Sequence, residues 1–446
     1  MTGKRALSRP LLRNPRDREI LRLAVPAFFA LVAEPLFLLA DAAIVGHLGT
    51  PQLAGLGIAS TILTAVVSLC IFLAYGTTAA VARRLGAGDH SGAIRQGVDG
   101  IWLAIVVGCG LTLTGLPFVA PVVGWFQPTA QVADYATTYL RISLLGIPAM
   151  LVVLAATGVL RGLQDTRTPL VVSVGGNLAN IALNVLLVYG VGLGIAGSAL
   201  GTVLAQLAAA AIFMRVVVRG ARRGGVGLRP DWPGIRASAG AAVPLLLRTL
   251  SLRVVLTIAT VVATRIGTVA VAAHQVVFGI WSFLAFALDA IAIAGQAIVG
   301  RYLGGADVAA TRAATRRMIE WGIAAGLVTG LATVAARPVL IPLFTTDSAV
   351  RSALEPVLLI AALFQPVAGI VFVLDGVLIG AGDARYLALA GLGTVAVFVP
   401  CALAVLAWDL GLTGLWWSMG AFMLARLVFL SARAYGTRWL VTGATR

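Results

Sequence analysis

The sequence predicts an all-α polytopic membrane protein, with twelve transmembrane helices arranged as two six-helix lobes that repeat one another. Three observations predict this class. Hydrophobic residues make up 60% of the 446 residues and charged residues 11%, which leaves too little polar surface to coat a soluble protein of this length. The apolar residues form long runs, each exceeding the about 20 residues that cross a bilayer as a helix. The second half of the chain also repeats the glycine and proline positions of the first half.

The repeat rests on one constant offset. Shifting the second half by 218 residues places Gly376 on Gly158, because 376 − 158 = 218, and also places Pro244 on Pro26. Chance pairings would not hold a single offset across most of a half, so the chain is interpreted as two copies of one membrane bundle. Secondary transporters are commonly built from such repeats, with the ligand site between the copies.

Six apolar runs predict the helices of an amino-terminal lobe at residues 20–218, which follows a basic tail at residues 1–19. Each run is continuous and lacks the alternation of a barrel strand, so it predicts a helix. The runs lie at residues 20–46, 53–82, 96–118, 135–160, 169–190 and 193–217.

Six more runs predict a carboxy-terminal lobe at residues 240–434, after a basic linker at residues 219–239. A short tail at residues 435–446 closes the chain. The runs lie at residues 240–266, 270–299, 318–343, 352–379, 386–408 and 411–434.

The basic residues fall mainly in alternate loops rather than in one stripe, so the net charge of +16 does not indicate a nucleic-acid partner. The positive-inside rule then places both termini and the central linker in the cytoplasm. We expect a multi-pass protein of the inner or plasma membrane. The three cysteines lie singly within apolar runs and predict neither a disulfide framework nor a metal site.

Lys4 is the only lysine, so the chain cannot carry a phosphate-binding loop of the type that ends in Gly-Lys-Ser/Thr. Transport would therefore draw on an ion gradient. An ion-coupled carrier needs ionisable groups within the bilayer, where they are costly enough to require a reason.

The first span offers Glu34 and Asp41 as coupling residues. They are seven residues apart and so share one helix face, with Pro35 between them predicted to kink the helix. A carboxylate in an apolar bundle favours its protonated form, which suits a proton carrier. The alternative is that both groups only bond to neighbouring helices or reach toward the outer surface.

Three amides form a stripe on the fifth span, because Asn177, Asn180 and Asn184 follow one another at spacings of three and four. This stripe could hydrogen-bond a protonated carboxylate or a ligand. It could equally join helices, since amides between membrane helices are common packing devices.

The carboxy-terminal lobe is not a chemical copy of the other lobe. The offset sets Ala259 against Asp41 and Leu252 against Glu34, so coupling through these acids is confined to the amino-terminal lobe. The second lobe has polar groups of its own within its spans. They include Arg248, Arg253, Asp289, Gln296 and Asp375, and the expected structural role is pairing of an arginine with an aspartate.

Several motifs in this order resemble the multidrug and toxic compound extrusion (MATE) transporters, in particular their DinF-like branch. The resemblance covers nearly the whole chain. Its motifs are Ala-Asp-Ala-Ala-Ile-Val-Gly-His-Leu-Gly (40–49), Gly-Val-Leu-Arg-Gly-Leu-Gln-Asp-Thr-Arg-Thr-Pro (158–169), Ala-Ala-His-Gln (272–275), Leu-Asp-Ala (288–290), Gln-Ala-Ile-Val-Gly (296–300) and Asp-Gly-Val-Leu-Ile-Gly-Ala-Gly-Asp (375–383).

The resemblance implies a V-shaped carrier that exports organic, often cationic and amphipathic compounds in exchange for protons or sodium ions. It assigns proton uptake to Asp41 and makes Asn180 and Thr202 its cavity partners, and Gln206 is predicted to line the same cavity. The sequence departs from the family at Asn184, where members frequently carry a second aspartate.

We therefore predict a proton-coupled exporter, with sodium as the alternative ion and no other cofactor. A lipid-intermediate flippase of the same superfamily is an alternative that Arg141, Arg248 and Arg253 would serve by making a cationic cavity. A membrane-embedded lipid-modifying enzyme is a distant alternative, because the three histidines lie in unrelated segments. The expected partners are small organic substrates and the bilayer, and the chain is expected to act as a monomer.

Overall fold

The computed structural model describes residues 14–445, and within that range every regular element is helical. Polar connections of a few residues separate most of the helices. In chain order the helices are α1 (Pro15–Gly46), α2 (Thr50–Leu69), α3 (Phe72–Gly86), α4 (His90–Gly115), α5 (Val119–Gly124), α6 (Ala130–Gly162), α7 (Arg167–Val185), α8 (Gly194–Arg223), α9 (Trp232–Ile266), α10 (Thr268–Gly304), α11 (Val308–Phe344), α12 (Ser348–Leu363), α13 (Gln365–Gly380), α14 (Ala384–Ala407) and α15 (Gly411–Tyr435).

These helices make twelve membrane spans in the described part of the chain, as the apolar runs predict. Eleven spans are long apolar helices, some of them assembled from two consecutive segments such as α2 with α3. The twelfth is the pair α12 and α13, which bends by 47° at Phe364. Within the fifth span, α7 continues into a π-helical segment at Leu186–Gly190.

The helices extend beyond the apolar runs at the ends that carry the termini. Helix α1 begins at Pro15, inside the predicted tail of residues 1–19, because Asn14 and Asp17 form a capping box there. Helix α8 ends at Arg223 and α9 begins at Trp232, so residues 224–231 alone lie between the two helices. The rest of the predicted tail, residues 1–13, lies outside the described residues.

Equivalent glycines position equivalent helices in the two lobes. A side chain at Gly158 of α6 would meet the backbone of Ala74 in α3, and one at Gly376 of α13 would meet Ala292 in α10. The second pair lies 218 residues after the first, since 376 − 158 and 292 − 74 are both 218. The repeat is therefore present in the packing as well as in the sequence, because small residues let these backbones approach closely.

The lobes meet through a reciprocal contact at the end of the bundle where α1 begins and α15 ends, which we call the terminal face. A side chain at Gly86 would overlap the Arg301 carbonyl, and one at Gly304 would overlap the Arg83 carbonyl. These four residues also obey the offset of 218. The crossing of α3 and α10 is thus a pseudo-symmetric contact between the two repeats.

Charged groups reinforce this closure. The Asp17 carboxylate accepts hydrogen bonds from Nε and Nη2 of Arg317 at 2.6 and 2.9 Å and from Trp321 Nε1 at 2.9 Å. Glu19 pairs with Arg301 and also accepts from the Tyr302 hydroxyl at 2.7 Å. Both acids belong to α1 and their partners to the other lobe, so the structure is closed at the terminal face.

Candidate functional site

One buried carboxylate lies inside the amino-terminal lobe. Asp41 of α1 is 4% exposed and accepts three side-chain hydrogen bonds. Its Oδ1 accepts from Asn184 Nδ2 at 2.9 Å and from Ser198 Oγ at 2.6 Å, and its Oδ2 accepts from the Tyr139 hydroxyl at 3.2 Å. The three donors belong to α7, α8 and α6, so one carboxylate joins α1 to three other helices of its lobe.

Local features of the sequence allow Asp41 to contact these donors. Pro26 and Pro35 lie inside α1 and remove two backbone N–H donors from its ladder, which makes the helix easier to bend than its neighbours. Gly201 leaves room for the amide of Asn184, since a side chain there would overlap Asn184 Oδ1. Near the end of α1, the Tyr189 hydroxyl donates to the Ile44 carbonyl at 2.6 Å.

Three buried oxygen atoms near this carboxylate have no hydrogen-bond partner in the described part of the chain. They are Oδ1 of Asn180, Oδ1 of Asn184 and Oγ1 of Thr202. Buried polar atoms are usually satisfied, so an unpaired group calls for an explanation such as a ligand or a proton. These oxygens can accept a proton donor or coordinate a hard cation such as sodium.

The other two residues predicted to line a cavity here, Asn177 and Gln206, make contacts between helices. Asn177 donates to the Ala33 carbonyl at 3.4 Å, which joins α7 to α1. Gln206 donates to Met150 Sδ at 3.7 Å, which joins α8 to α6. Neither residue touches Asp41, so the amide stripe divides into a packing contact at one end and a site residue at the other.

Glu34 and Asp41 are not brought together. Glu34 is exposed and makes no hydrogen bond to any residue that the structure describes, whereas Asp41 is buried. Both lie on one stripe of α1, but donors from three helices converge only at the level of Asp41. The seven-residue spacing predicts that both side chains lie on one face of α1. It does not predict which groups surround each carboxylate.

The carboxy-terminal lobe holds a second polar cluster. Asp375 of α13 pairs with Arg248 of α9 through both carboxylate oxygens, and its Oδ2 also accepts from Arg426 Nη2 of α15 at 2.8 Å. Each of the three residues is at most 9% exposed. The sequence predicts the Arg248 pairing as one of several possibilities. The sequence alone does not identify Arg426 as a partner of Asp375, although a charged residue inside the apolar run 411–434 indicates that a partner is needed.

Asp289 and Gln296 both lie on α10 and have different surroundings. Asp289 is half-buried and interacts electrostatically with Arg161 of the other lobe and with Arg248. Gln296 is buried where Gly380 of α13 approaches its backbone carbonyl. Arg141 and Arg253 are exposed, whereas Arg248 is buried and paired with Asp375.

Sequence reasoning does not identify Ser198 and Tyr139 as site residues. They lie 157 and 98 residues from Asp41 and sit in apolar runs where a hydroxyl is unremarkable. Ser198 does fall within the glycine-rich start of α8, where it contacts Asp41 of α1. Within residues 14–445 no group of three or more histidine, cysteine or acidic side chains could hold a metal ion.

Twelve membrane helices in two repeated lobes, with a buried polar cluster inside each of them, define a polytopic membrane transporter. A family model described as MatE matches residues 26–186 and again residues 244–403, and the starts of the two matches differ by 244 − 26 = 218 residues. The chain therefore belongs to the MatE family, the multidrug and toxic compound extrusion transporters.

Curated relatives support the same assignment. The chain is 32% identical over 437 residues to protein DETOXIFICATION 44, chloroplastic, of Arabidopsis thaliana. The match covers 94% of this chain and 82% of that protein. It is 30% identical over 426 residues to DNA damage-inducible protein F of Escherichia coli, covering 93% and 91% of the two chains. The resemblance to the DinF-like branch is thus confirmed.

Solved structures show the same fold. A MOP superfamily transporter from Pyrococcus furiosus superposes with a TM-score of 0.85 at 22% identity, covering 97% of this chain and 99% of that one. A crystal structure of MATE in the bent conformation superposes with a TM-score of 0.87 at 23% identity, covering 95% and 97%. At these identities the likeness establishes the architecture of two six-helix lobes.

Proposed function

We propose that this protein is a proton-coupled antiporter that exports organic, often cationic and amphipathic compounds by alternating access, with Asp41 as the coupling residue. The observation that carries the proposal is the position of Asp41, where a single buried carboxylate receives hydrogen bonds from three different helices. Membership of the multidrug extrusion family supports the direction of transport and the substrate class. The substrate crosses the membrane chemically unchanged.

The coupling follows from hydrogen-bond strength. Bonds to an ionised carboxylate are roughly twice as strong as bonds between neutral groups, so ionised Asp41 holds α1 firmly against α6, α7 and α8. A proton on Asp41 turns one of its oxygens into a donor and leaves a neutral group. The hydroxyls of Ser198 and Tyr139 must then rotate or separate, and α1 is held less tightly.

Helix α1 is suited to respond to that change, because its two internal prolines weaken its backbone ladder. Asp17 and Glu19 at its other end are paired with the second lobe. A rearrangement of α1 near Asp41 can therefore reach the contact between the lobes. Each charge moved across 100 mV contributes about 2.3 kcal/mol, enough to shift a two-state equilibrium by more than tenfold.

Sodium coupling is a second candidate, and the unpaired oxygens of Asn180, Asn184 and Thr202 favour it. Together with Asp41 they form an oxygen-rich set of the kind that hard cations prefer. Asn184 supplies a neutral oxygen, so the set carries one negative charge and suits a monovalent ion. The two ions would use the same carboxylate, and a gradient experiment separates them.

The protein is expected to act as a monomer in the inner or plasma membrane, with the terminal face toward the cytoplasm. The distribution of arginines among alternate loops supports this orientation. In that orientation the described state is closed toward the cytoplasm.

The test is export of a fluorescent organic cation from proteoliposomes under imposed gradients. An inward proton gradient should drive export of the cation, whereas a sodium gradient at symmetric pH should not. The reverse pattern would replace the proton by sodium as the coupling ion. No transport under either gradient, with intact folded protein, would contradict the proposal as a whole.

A further inference from the structure

We infer that the cluster of Arg248, Asp375 and Arg426 in the carboxy-terminal lobe is a binding site for a small anion, either a halide ion or a single carboxylate group. This cluster belongs to α9, α13 and α15. It shares no residue with the proposed coupling site at Asp41, so the inference does not depend on the proposed function.

The charge of the cluster is the first argument. Two guanidinium groups face one carboxylate, which leaves a net charge of +1 on three residues that are each at most 9% exposed. Asp289 interacts electrostatically with Arg248 and also with Arg161, and these two residues, Asp289 and Arg161, add one charge of each sign. Three arginines minus two aspartates again leave +1.

An uncompensated buried charge costs several kcal/mol, even after the surrounding protein relaxes. One arginine would be enough to neutralise Asp375, so the second one needs a separate explanation. The rings of Phe372 and Phe422 lie 5.9 and 5.7 Å from the Arg426 guanidinium and offset part of this cost. They supply no negative charge, so a place for an anion remains.

Unused hydrogen-bond donors are the second argument. Asp375 accepts from Nε and Nη2 of Arg248 and from Nη2 of Arg426, which engages three of the six guanidinium nitrogens. The other three donate to no residue that the structure describes. Arginine is the side chain best suited to hold a carboxylate or another anion through several N–H groups.

A cavity is the third argument. Arg248, Asp375 and Arg426 all line a cavity of about 20 Å³, whose remaining walls come from α9, α14 and α15. A volume of this size accommodates about one water-sized particle. It fits a monatomic anion or one end of a carboxylate.

The test is thermal unfolding of the full-length protein in nanodiscs at constant sodium concentration. Sodium chloride, bromide or formate is titrated against sodium HEPES, whose sulfonate carries a body too large for the cavity. We expect the unfolding midpoint to rise and saturate with the small anion. Saturation with halides alone identifies a free inorganic ion, and saturation with formate as well identifies a carboxylate group.

Variants assign the effect to the cluster. Arg426→Gln should raise the anion concentration at half-saturation by at least about tenfold, because it removes one charge at close range in a medium of low dielectric. Arg426→Lys should retain binding, and Asp375→Asn should tighten it by at least about tenfold, because the competing carboxylate is lost. Arg433→Gln is the matched control, since Arg433 lies on the same helix but pairs with Asp383.

Two results would overturn the inference. One is an unfolding midpoint that rises equally in all four salts. The other is a small-anion effect that is unchanged in Arg426→Gln and in Asp375→Asn. If Arg426→Gln does not fold, the wild type still decides, because a cluster that binds no anion gives no saturable rise of the unfolding midpoint that is specific to the small anions.

Discussion

At the residue scale, the proposed coupling depends on how the donors around Asp41 favour its ionised form. Asn184 provides an amide donor, whereas Ser198 and Tyr139 provide hydroxyls that can both donate and accept. The site can therefore satisfy Asp41 in either protonation state, but with bonds of different strength. A second acid at position 184 is absent, which leaves one titrating carboxylate in this group.

Ser198→Ala should slow proton-driven export. A hydrogen bond to a charged group contributes about 1.5–3 kcal/mol, so its loss should reduce the rate by at least about tenfold. The measurement is the initial rate of export in proteoliposomes under a fixed pH gradient. Ser143→Ala is the matched control, because Ser143 is a buried serine of the same lobe whose hydroxyl has no partner in the described chain. Equal rates for both variants would remove Ser198 from the coupling group.

Part of this site is predictable from the sequence. Asp41 and the amide stripe are identified because polar groups inside apolar runs are rare and costly. Ser198 and Tyr139 are not identified, since a hydroxyl is tolerated in many places within a membrane helix. Their roles depend on helix packing over long separations, which periodicity does not encode.

At the element scale, close backbone crossings set the geometry of the lobes and of the contact between them. The crossing of α3 with α10 has glycine on each side, at Gly86 and Gly304, and each glycine lies against the backbone of the opposite helix. A methyl group at such a position cannot be accommodated by rotating a side chain. The contact at the terminal face is consequently sensitive to single-atom changes.

Gly86→Ala should prevent this closure of the terminal face. Overpacking of a tight contact costs about 1–3 kcal/mol, so the population of the closed state should fall by roughly tenfold. Spin labels placed on α3 and α10 near the terminal face would report the change as a longer interlobe distance. Gly110→Ala serves as the control, because nothing lies within 4 Å of a side chain there. An unchanged distance in Gly86→Ala would contradict this account of closure.

The sequence predicts which glycines repeat, Gly158 and Gly376 among them, and the structure places both at close helix crossings. It does not predict the reciprocal contact of Gly86 and Gly304 between lobes. The offset aligns these two residues with each other, but it carries no information on whether equivalent positions touch. That contact is a property of how the two copies pack.

At the scale of the whole molecule, the two lobes are joined at the terminal face by a buried arginine as well as by helix crossings. Arg83 is 2% exposed and donates to the Ala381 carbonyl of the second lobe at 3.1 Å and to the Val441 carbonyl at 2.7 Å. Trp439 is buried beside the same face, and Gly443 N–H donates to the Leu303 carbonyl at 3.0 Å. The segment after α15 is thus part of the closure.

Arg83→Gln should release this segment, because hydrogen bonds from a buried cation each contribute about 1.5–3 kcal/mol. Trypsin cleavage at Arg438 should become at least about tenfold faster, since cleavage follows the population of the open segment. Arg84→Gln is the control, because that neighbouring arginine pairs only locally with Asp89. Equal cleavage of the two variants would show that Arg83 does not hold the segment.

The twelve spans and the duplication are predictable from the sequence, because the apolar requirement of the bilayer acts locally along the chain. The bend at Phe364 and the contacts of the segment after α15 are not. Both depend on contacts between distant segments, and the residues after Tyr435 are too polar to be recognised as packed. The chemical difference between the lobes is visible at once, since Ala259 takes the place of Asp41.

The most direct test of the central claim is substrate-dependent proton flux through Asp41→Asn in proteoliposomes loaded with a pH-sensitive dye. The wild type should move protons when substrate is added, and Asp41→Asn should move none while remaining folded. Asp134→Asn, which alters an exposed carboxylate at the start of α6, should retain wild-type flux. Proton flux at the wild-type rate in Asp41→Asn would contradict the account.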